Sequence, residues 1–344
     1  MKSQQAERVY ALDALRGIMM LLGLVIHTGL TYGKSDYQTV WPLKDPNNSI
    51  VFDILVAYIH MFRMPVFFVV AGYFAALLFY KKGPIAMLVN RFKRILLPFL
   101  AAVLIVYPLV VMSFTFSAAV FASVKNPFSE AWNVLVTGRF LPFNIVHLWF
   151  LYFLAMYNVV GWLLATIFQK STAFTVTFKK VFIYIIQNAW LRIVCMATLI
   201  FGCLYWMNTT FILTNADWKI DPSTFVIYLI FFETGWMIYK TNTLMKLTGH
   251  PILQLIVATL LYLFLIFMPW PKAAWEFPVK ILIAASCTSL FIFGLVALFL
   301  RYFNHYSKRM SYLMDASYWV YIIHLPIVSF IPGLMAGFAL PAFV

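Results

Sequence analysis

Histidine and arginine placed at helical spacing inside apolar segments are the residues of this chain most able to do chemistry. Asp13, Arg16, Met20, Gly23 and His27 follow one another at intervals of three and four. Arg16 and His27 are close to three helical turns apart, so both project from one face about 16 Å apart along the axis. Asp13 lies one turn before Arg16 and can pair with it. His60 and Arg63 stand one turn apart on a second apolar segment, and His147 opens a further one. Imidazoles grouped with an arginine suit abstraction of a proton from a hydroxyl and stabilisation of an oxyanion. Plainer roles compete: Arg16 and His27 snorkelling to the two interfaces, and His60 and His147 bonded to backbone or headgroups. The spacing matches no zinc motif, and neither a metal nor a bound cofactor is expected. Arg91, Lys93 and Arg94 form a second group. Arg91 and Arg94, at i and i+3, share a helix face and could clamp phosphates, or they anchor a helix end at a membrane surface.

The elements that must hold these residues follow from composition. Of 344 residues, 64% are apolar and only 10% charged, with 35 Phe, and the mean hydropathy is +0.89. A soluble domain carries about 45–50% apolar and about 25% charged residues. Such an excess cannot all be buried in one core, so lipid is the solvent for most of the surface. A soluble enzyme, a disordered chain and a secreted disulfide scaffold are excluded. Cys195, Cys203 and Cys287 lie in apolar runs and read as small core residues. The net charge of +14 is no nucleic-acid signal, because the basic residues cluster between apolar runs, as membrane topology requires.

Runs of about 20 apolar residues occur at roughly 11–32, 51–79, 95–118, 145–169, 187–207, 223–239, 251–269, 280–300 and 317–340. The expected fold is all-α: a polytopic helical membrane protein of about 9–10 transmembrane helices, forming a single integral-membrane domain over 1–344. With a cytoplasmic N-terminus, the inside segments carry Lys2 and Arg8; Lys81, Lys82, Arg91, Lys93 and Arg94; Lys170, Lys179 and Lys180; Lys240 and Lys246; and Arg301, Lys308 and Arg309. The outside loops are nearly neutral, which fits the positive-inside rule. In that orientation His27, His60, Arg63 and His147 share one outer-leaflet layer. The loop at 119–144 is placed to fold over the outer face. Glu233 lies mid-helix and needs a partner or a proton, and His324 precedes Pro326, a bend point, in the last span.

Five segments in order resemble acyltransferase family 3, a family of membrane-bound O-acyltransferases, over nearly the whole chain. They are Leu12-Asp13-Ala14-Leu15-Arg16-Gly17 with His27; Phe62-Arg63-Met64-Pro65-Val66-Phe67-Phe68 running to Ala71-Gly72-Tyr73; Arg91 to Arg94 before Pro98; His147-Leu148-Trp149-Phe150-Leu151; and Ala316 through His324-Leu325-Pro326. The resemblance implies transfer of an acetyl or succinyl group from cytoplasmic acyl-CoA, as co-substrate, to a carbohydrate hydroxyl across a bacterial inner membrane. It implies an essential Arg16–His27 pair and a donor role for Arg91 and Arg94. His27 would act as general base or as transient acyl carrier, Asp13 would fix Arg16, and Arg63, His60 and His147 would serve the acceptor or oxyanion. Members often have Ser where Ala71 stands, and ten or more helices where this chain stops near the ninth, as a short or truncated member would. Two other classes stay open. One is a proton-coupled transporter of anionic or sugar substrates, although neither paired halves nor broken helices are evident. The other is a non-catalytic scaffold for glucan synthesis.

Overall fold

The structure, a computed structural model, describes residues 9–37, 40–168, 172–247, 249–336 and 338, and of 172–174 the backbone alone. Helix boundaries follow local chemistry. α1 (Tyr10–Tyr32) ends at Gly33. α2 (Ile50–Lys82) starts behind Ser49, whose side chain accepts a hydrogen bond from the Val51 amide. It stops at Gly83, whose φ of +95° suits glycine alone, and Pro84 restarts the chain as α3 (Pro84–Arg91). A π turn (Phe92–Leu96) joins α3 to α4 (Leu97–Phe121), so 84–121 is one continuous rod. α5 (Pro127–Val136) packs on α4, within the segment expected to fold over one face. A 3-10 turn (Val146–Leu148) leads into α6 (Trp149–Phe168). Beyond it come α7 (Thr172–Gln187) and α8 (Ala189–Met207), the latter capped by the Asn188 side chain. Asp221 caps α9 (Pro222–Lys240). α10 (Pro251–Phe267), α11 (Glu276–Tyr302) and α12 (Lys308–Met335, capped by Ser307) are the last described helices. No strand occurs among the described residues.

Each of the nine expected spans falls on helix, and seven of these segments are long and apolar enough to cross a membrane: α1, α2, the rod 84–121, 146–168, α8, α11 and α12. α10, at 17 residues, is shorter. α9 carries Glu233 and lies outside the seven. α7 adds a helix where only a basic inside loop was expected.

The bundle is built around α2, which packs against α1, α3, α6, α9 and α11. The most apolar stretch of α2 is 72% buried, against 39% for the rod 84–121. α2 is therefore the core, while Leu100, Leu104 and Ile105 of α4 face outward as lipid contacts require. α2 and α9 cross with backbones nearly touching. A Cβ on Gly72 would strike the Phe232 carbonyl, and one on Gly235 would strike that of Val69. Small residues permit this approach where lipid supplies no hydrophobic drive between helices. Beside the crossing, Phe68 packs on Trp149, Phe150, Tyr157 and Tyr228.

α1 and α12 run in the same direction in matched register. A Cβ on Gly17 would lie 3.1 Å from Met314, the Ser317 hydroxyl lies 3.6 Å from the Met20 sulfur, and the His27 and His324 rings lie 5.1 Å apart. α12 in turn docks on α4, where the Ser117 hydroxyl donates to the Ser329 carbonyl at 2.5 Å. Pro326 lies inside α12, which continues through it to Met335.

Candidate active site

The parallel register of α1 and α12 decides the site, because it sets two histidines side by side. His27 faces His324, and His324 faces His147 with ring centroids 5.2 Å apart. His147 comes from the 3-10 turn before α6, where Val146 adopts φ +37°, a strained conformation for a β-branched residue of a kind found at functional sites. Tyr321 ties the layer together: its hydroxyl donates to the His147 carbonyl at 2.6 Å. His147 and His324 each have a fixed partner on one ring nitrogen. His147 Nε2 lies 3.1 Å from the Ile322 carbonyl, and His324 Nδ1 lies 2.7 Å from that of Tyr321. His27 Nδ1, His147 Nδ1 and His324 Nε2 are buried with no hydrogen-bond partner among the described residues. Orphan nitrogens at such a density call for a function. Among the described residues no set of three or more His, Cys, Asp or Glu is placed to hold a metal ion.

Arg63 enters from α2. Its Nε donates to the Met19 carbonyl at 2.9 Å, and its guanidinium lies against Gly23, where any Cβ would overlap Nη2. The α1 stripe thus reads Arg16, then Arg63 inserted at Gly23, then His27. Arg63 is buried, and among the described residues no carboxylate pairs with it. The phenols of Tyr321 and Tyr228 interact with its charge. His60 is half-buried and bonds outward, with Nε2 2.7 Å from the Ile212 carbonyl. It therefore serves mainly to tie α2 to the loop after α8.

At the opposite end of α1, Arg16 pairs with Asp13 at 3.2 Å and lies over the Phe74 ring at 5.3 Å. Arg91 interacts with the charges of Arg16 and Arg94, so cations from α1 and the rod meet there. Arg91 and Arg94 do not share one environment, however. Among the described residues the Arg91 Nε is buried without a partner, whereas Lys93 and Arg94, within the π turn, are exposed. A π turn carries an extra residue per turn, so spacing for an α-helix misplaced them. Tyr318 of α12 fixes this segment by donating to the Arg94 carbonyl at 2.9 Å. Glu233 keeps a buried Oε1 with no partner among the described residues.

The loop joining α1 to α2 closes the histidine layer, and the sequence marked it only as a nearly neutral connection. Its Trp41 is buried, stacks on His27 at 5.5 Å and 24°, and meets Phe114 edge-on at 4.9 Å. Asp53, in the first turn of α2, accepts from the amides of Lys34 (2.5 Å) and Ser35 (3.1 Å) and from the Tyr37 hydroxyl (2.9 Å). Burial, with the Asp53 carboxylate beside it, pushes the Tyr37 phenol up to about 12.

The chain is similar to known proteins along nearly its whole length. A family profile described as an acyltransferase domain matches residues 9–344. Glucans biosynthesis protein C of Escherichia coli (strain K12) is 27% identical over 342 residues, covering 94% of this chain and 83% of the relative. The protein of that name from Salmonella paratyphi B is 25% identical over 348 residues, covering 96% and 85%. No solved structure matches.

Proposed function

Because the chain belongs to acyltransferase family 3, we propose that this membrane acyltransferase moves an acetyl or succinyl group from cytoplasmic acyl-CoA to a hydroxyl of a periplasmic or cell-surface carbohydrate, in the inner membrane of a bacterium. The observation that carries the reading is the convergence of three orphan imidazole nitrogens beside an unpaired, buried guanidinium. The names of the glucans biosynthesis relatives favour a glucan-like acceptor.

His27 takes the hydroxyl proton as the carbohydrate oxygen attacks the thioester carbonyl. The oxyanion that forms faces Arg63, a fixed positive charge in low dielectric, where such stabilisation is strongest. The carbon–sulfur bond then breaks, the acyl–oxygen bond is complete, and the departing thiolate takes up the proton. His324 and His147, in line behind His27, orient it and share its charge. Arg16, held by Asp13, joins Arg91, Lys93 and Arg94 in meeting the anionic nucleotide portion of the donor. His60 supports the acceptor side through the loop it holds. The acceptor and donor ends are thus the two ends of α1.

The test is mass spectrometry of envelope glycans from cells with the intact gene, a deletion, or His27→Ala. Loss of one defined acyl mass in both altered strains is expected and names the group. An unchanged profile in the deletion strain would sink glycan acylation, leaving transport or scaffolding as the function.

A further inference from the structure

Acyl transfer to a sugar has a competitor in every aqueous compartment. Water is also a nucleophile, and a base that activates a hydroxyl activates water too. His27 is half-buried with its Nδ1 fully buried, and the protein has built a cover against its ring. One ring face meets Trp41 at 5.5 Å, and the His324 ring lies 5.1 Å away. Trp41 retains 4% of its exposure, and its indole nitrogen donates to the Thr31 hydroxyl at 2.9 Å, one turn beyond His27 on the same helix. The indole is therefore tied to the helix that carries the base.

The loop that delivers Trp41 is anchored on both sides. Asp53 gathers Lys34, Ser35 and Tyr37 on the approach. On the return, the Asp45 amide donates to the Thr31 carbonyl at 3.0 Å and the Ser49 amide to that of Tyr32 at 2.9 Å. Lys44 bridges the two arms, donating to the Ser35 carbonyl and lying 5.6 Å from the Tyr37 ring centroid. Leu43 of the same loop, at 1% exposure, is buried in the hydrophobic core. A connection between two spans needs none of this to turn the chain. The investment is concentrated on one buried indole and the imidazole below it.

We propose that Trp41 is the positioning residue that keeps water from His27, so that the acyl group passes to a carbohydrate hydroxyl instead of being hydrolysed, with Asp53 as its remote anchor. This rests on the acyl-transfer reading. In the competing reaction, water oxygen bonds to the acyl carbon, the carbon–sulfur bond breaks, and the water proton passes through His27 to the thiolate. The products are the free acid and coenzyme A thiol. Trp41 suppresses that route by occupying the space water would take, while the larger acceptor gains access with its own hydroxyl already aimed.

Two readouts on the full-length protein in detergent micelles test the idea. The first is the rate at which diethyl pyrocarbonate carbethoxylates His27, mapped by peptide mass spectrometry against exposed His250 and His305 as internal standards. The second is thiol release from acetyl-CoA or succinyl-CoA without carbohydrate, compared with transfer to an added glucan. Losing the stacking and the indole hydrogen bond in Trp41→Ala raises His27 modification by about tenfold, with a similar rise in the hydrolysis-to-transfer ratio. Trp41→Phe, which keeps an aromatic face, falls between Trp41→Ala and the native protein. Asp53→Asn touches no part of His27 and raises both readouts in the same sense; it decides the matter if Trp41→Ala fails to fold. Unchanged His27 modification in folded Trp41→Ala and Asp53→Asn overturns the proposal whatever the activity. Raised modification with no thiol release from either donor, even by the native protein, overturns the acyl-transfer reading while leaving the cover of Trp41 against His27 standing.

Discussion

Arg63 is a buried guanidinium whose Nε is satisfied by a backbone carbonyl and which has no ion-pair partner among the described residues. An uncompensated charge inside a bilayer protein is costly, and residues that bear the cost generally serve function. Arg63→Met follows from this: thermal stability is unchanged or raised, because an apolar chain of similar length removes the desolvation penalty. The acyl-transfer rate falls by about 10²–10³, the loss typical of an oxyanion donor. Thermal unfolding and single-turnover acyl transfer together check it. Gly23→Ala is the subtler variant. Its methyl would occupy the position of Arg63 Nη2, so the guanidinium must move while the helix gains up to about 1 kcal/mol of propensity. The expected result is a lower kcat with undiminished thermal stability, measured on the same samples. Position 23 belongs to the Asp13–His27 stripe already visible in the sequence, but its importance lies in what crosses over it.

Helix ends and crossings carry the element-scale energetics. Asp221 caps α9 by accepting from the Thr224 amide at 2.7 Å and from the Ser223 hydroxyl. Hydrogen bonding to Ser223, and then to Thr224, holds its carboxyl below the ordinary aspartate range. A carboxylate with a lowered folded pKa stabilises fully at neutral pH and loses that contribution as pH falls through the lowered value. Asp221→Ala is therefore expected to destabilise by about 0.5–2 kcal/mol at pH 7. The gap to the native protein closes on acidification, which unfolding in micelles across a pH series checks. Asp221→Asn costs less, since Asn caps as well as Asp. The first turn of α8 carries a different device. Arg192, at 1% exposure, donates to the carbonyls of Ile186 (3.2 Å) and Lys246 (3.4 Å) and lies over Phe293. It clasps the α7–α8 corner to the turn after α9.

Across the whole molecule, two distinct polar groups sit at opposite ends of α1. One is a cationic end formed by Arg16 with the Arg91–Arg94 segment, and the other is the layer of His27, His324 and His147 beside Arg63. Such a division suits a reaction whose donor is a polyanion and whose acceptor is an uncharged hydroxyl. On the proposed role of Arg91 in meeting the donor, Arg91→Ala raises KM for acyl-CoA by about tenfold and leaves kcat nearly unchanged, the signature of binding made equally in ground and transition states. Saturation curves for thiol release in the presence of glucan check this. Exposed Lys93 should matter less than Arg91, whose Nε is buried without a partner among the described residues.

Composition alone settled that lipid surrounds this chain, since 64% apolar residues exceed what any single core can hide. Periodicity placed the helices, and the three- and four-residue steps from Asp13 to His27 put Arg16 and His27 on one face, because residues within one helix are positioned by its own geometry. What crosses between helices needed the tertiary structure. His324 is hundreds of residues from His27 in sequence and meets it only because α1 and α12 run parallel in register. The face shared by Arg91 and Arg94 dissolved into a π turn, which side-chain spacing does not encode. Trp41 gave no periodic signal, as its loop is shaped by bonds to Asp53 and to the end of α1. Local geometry is written in neighbouring residues, whereas register and closure are decided by which surfaces pack together.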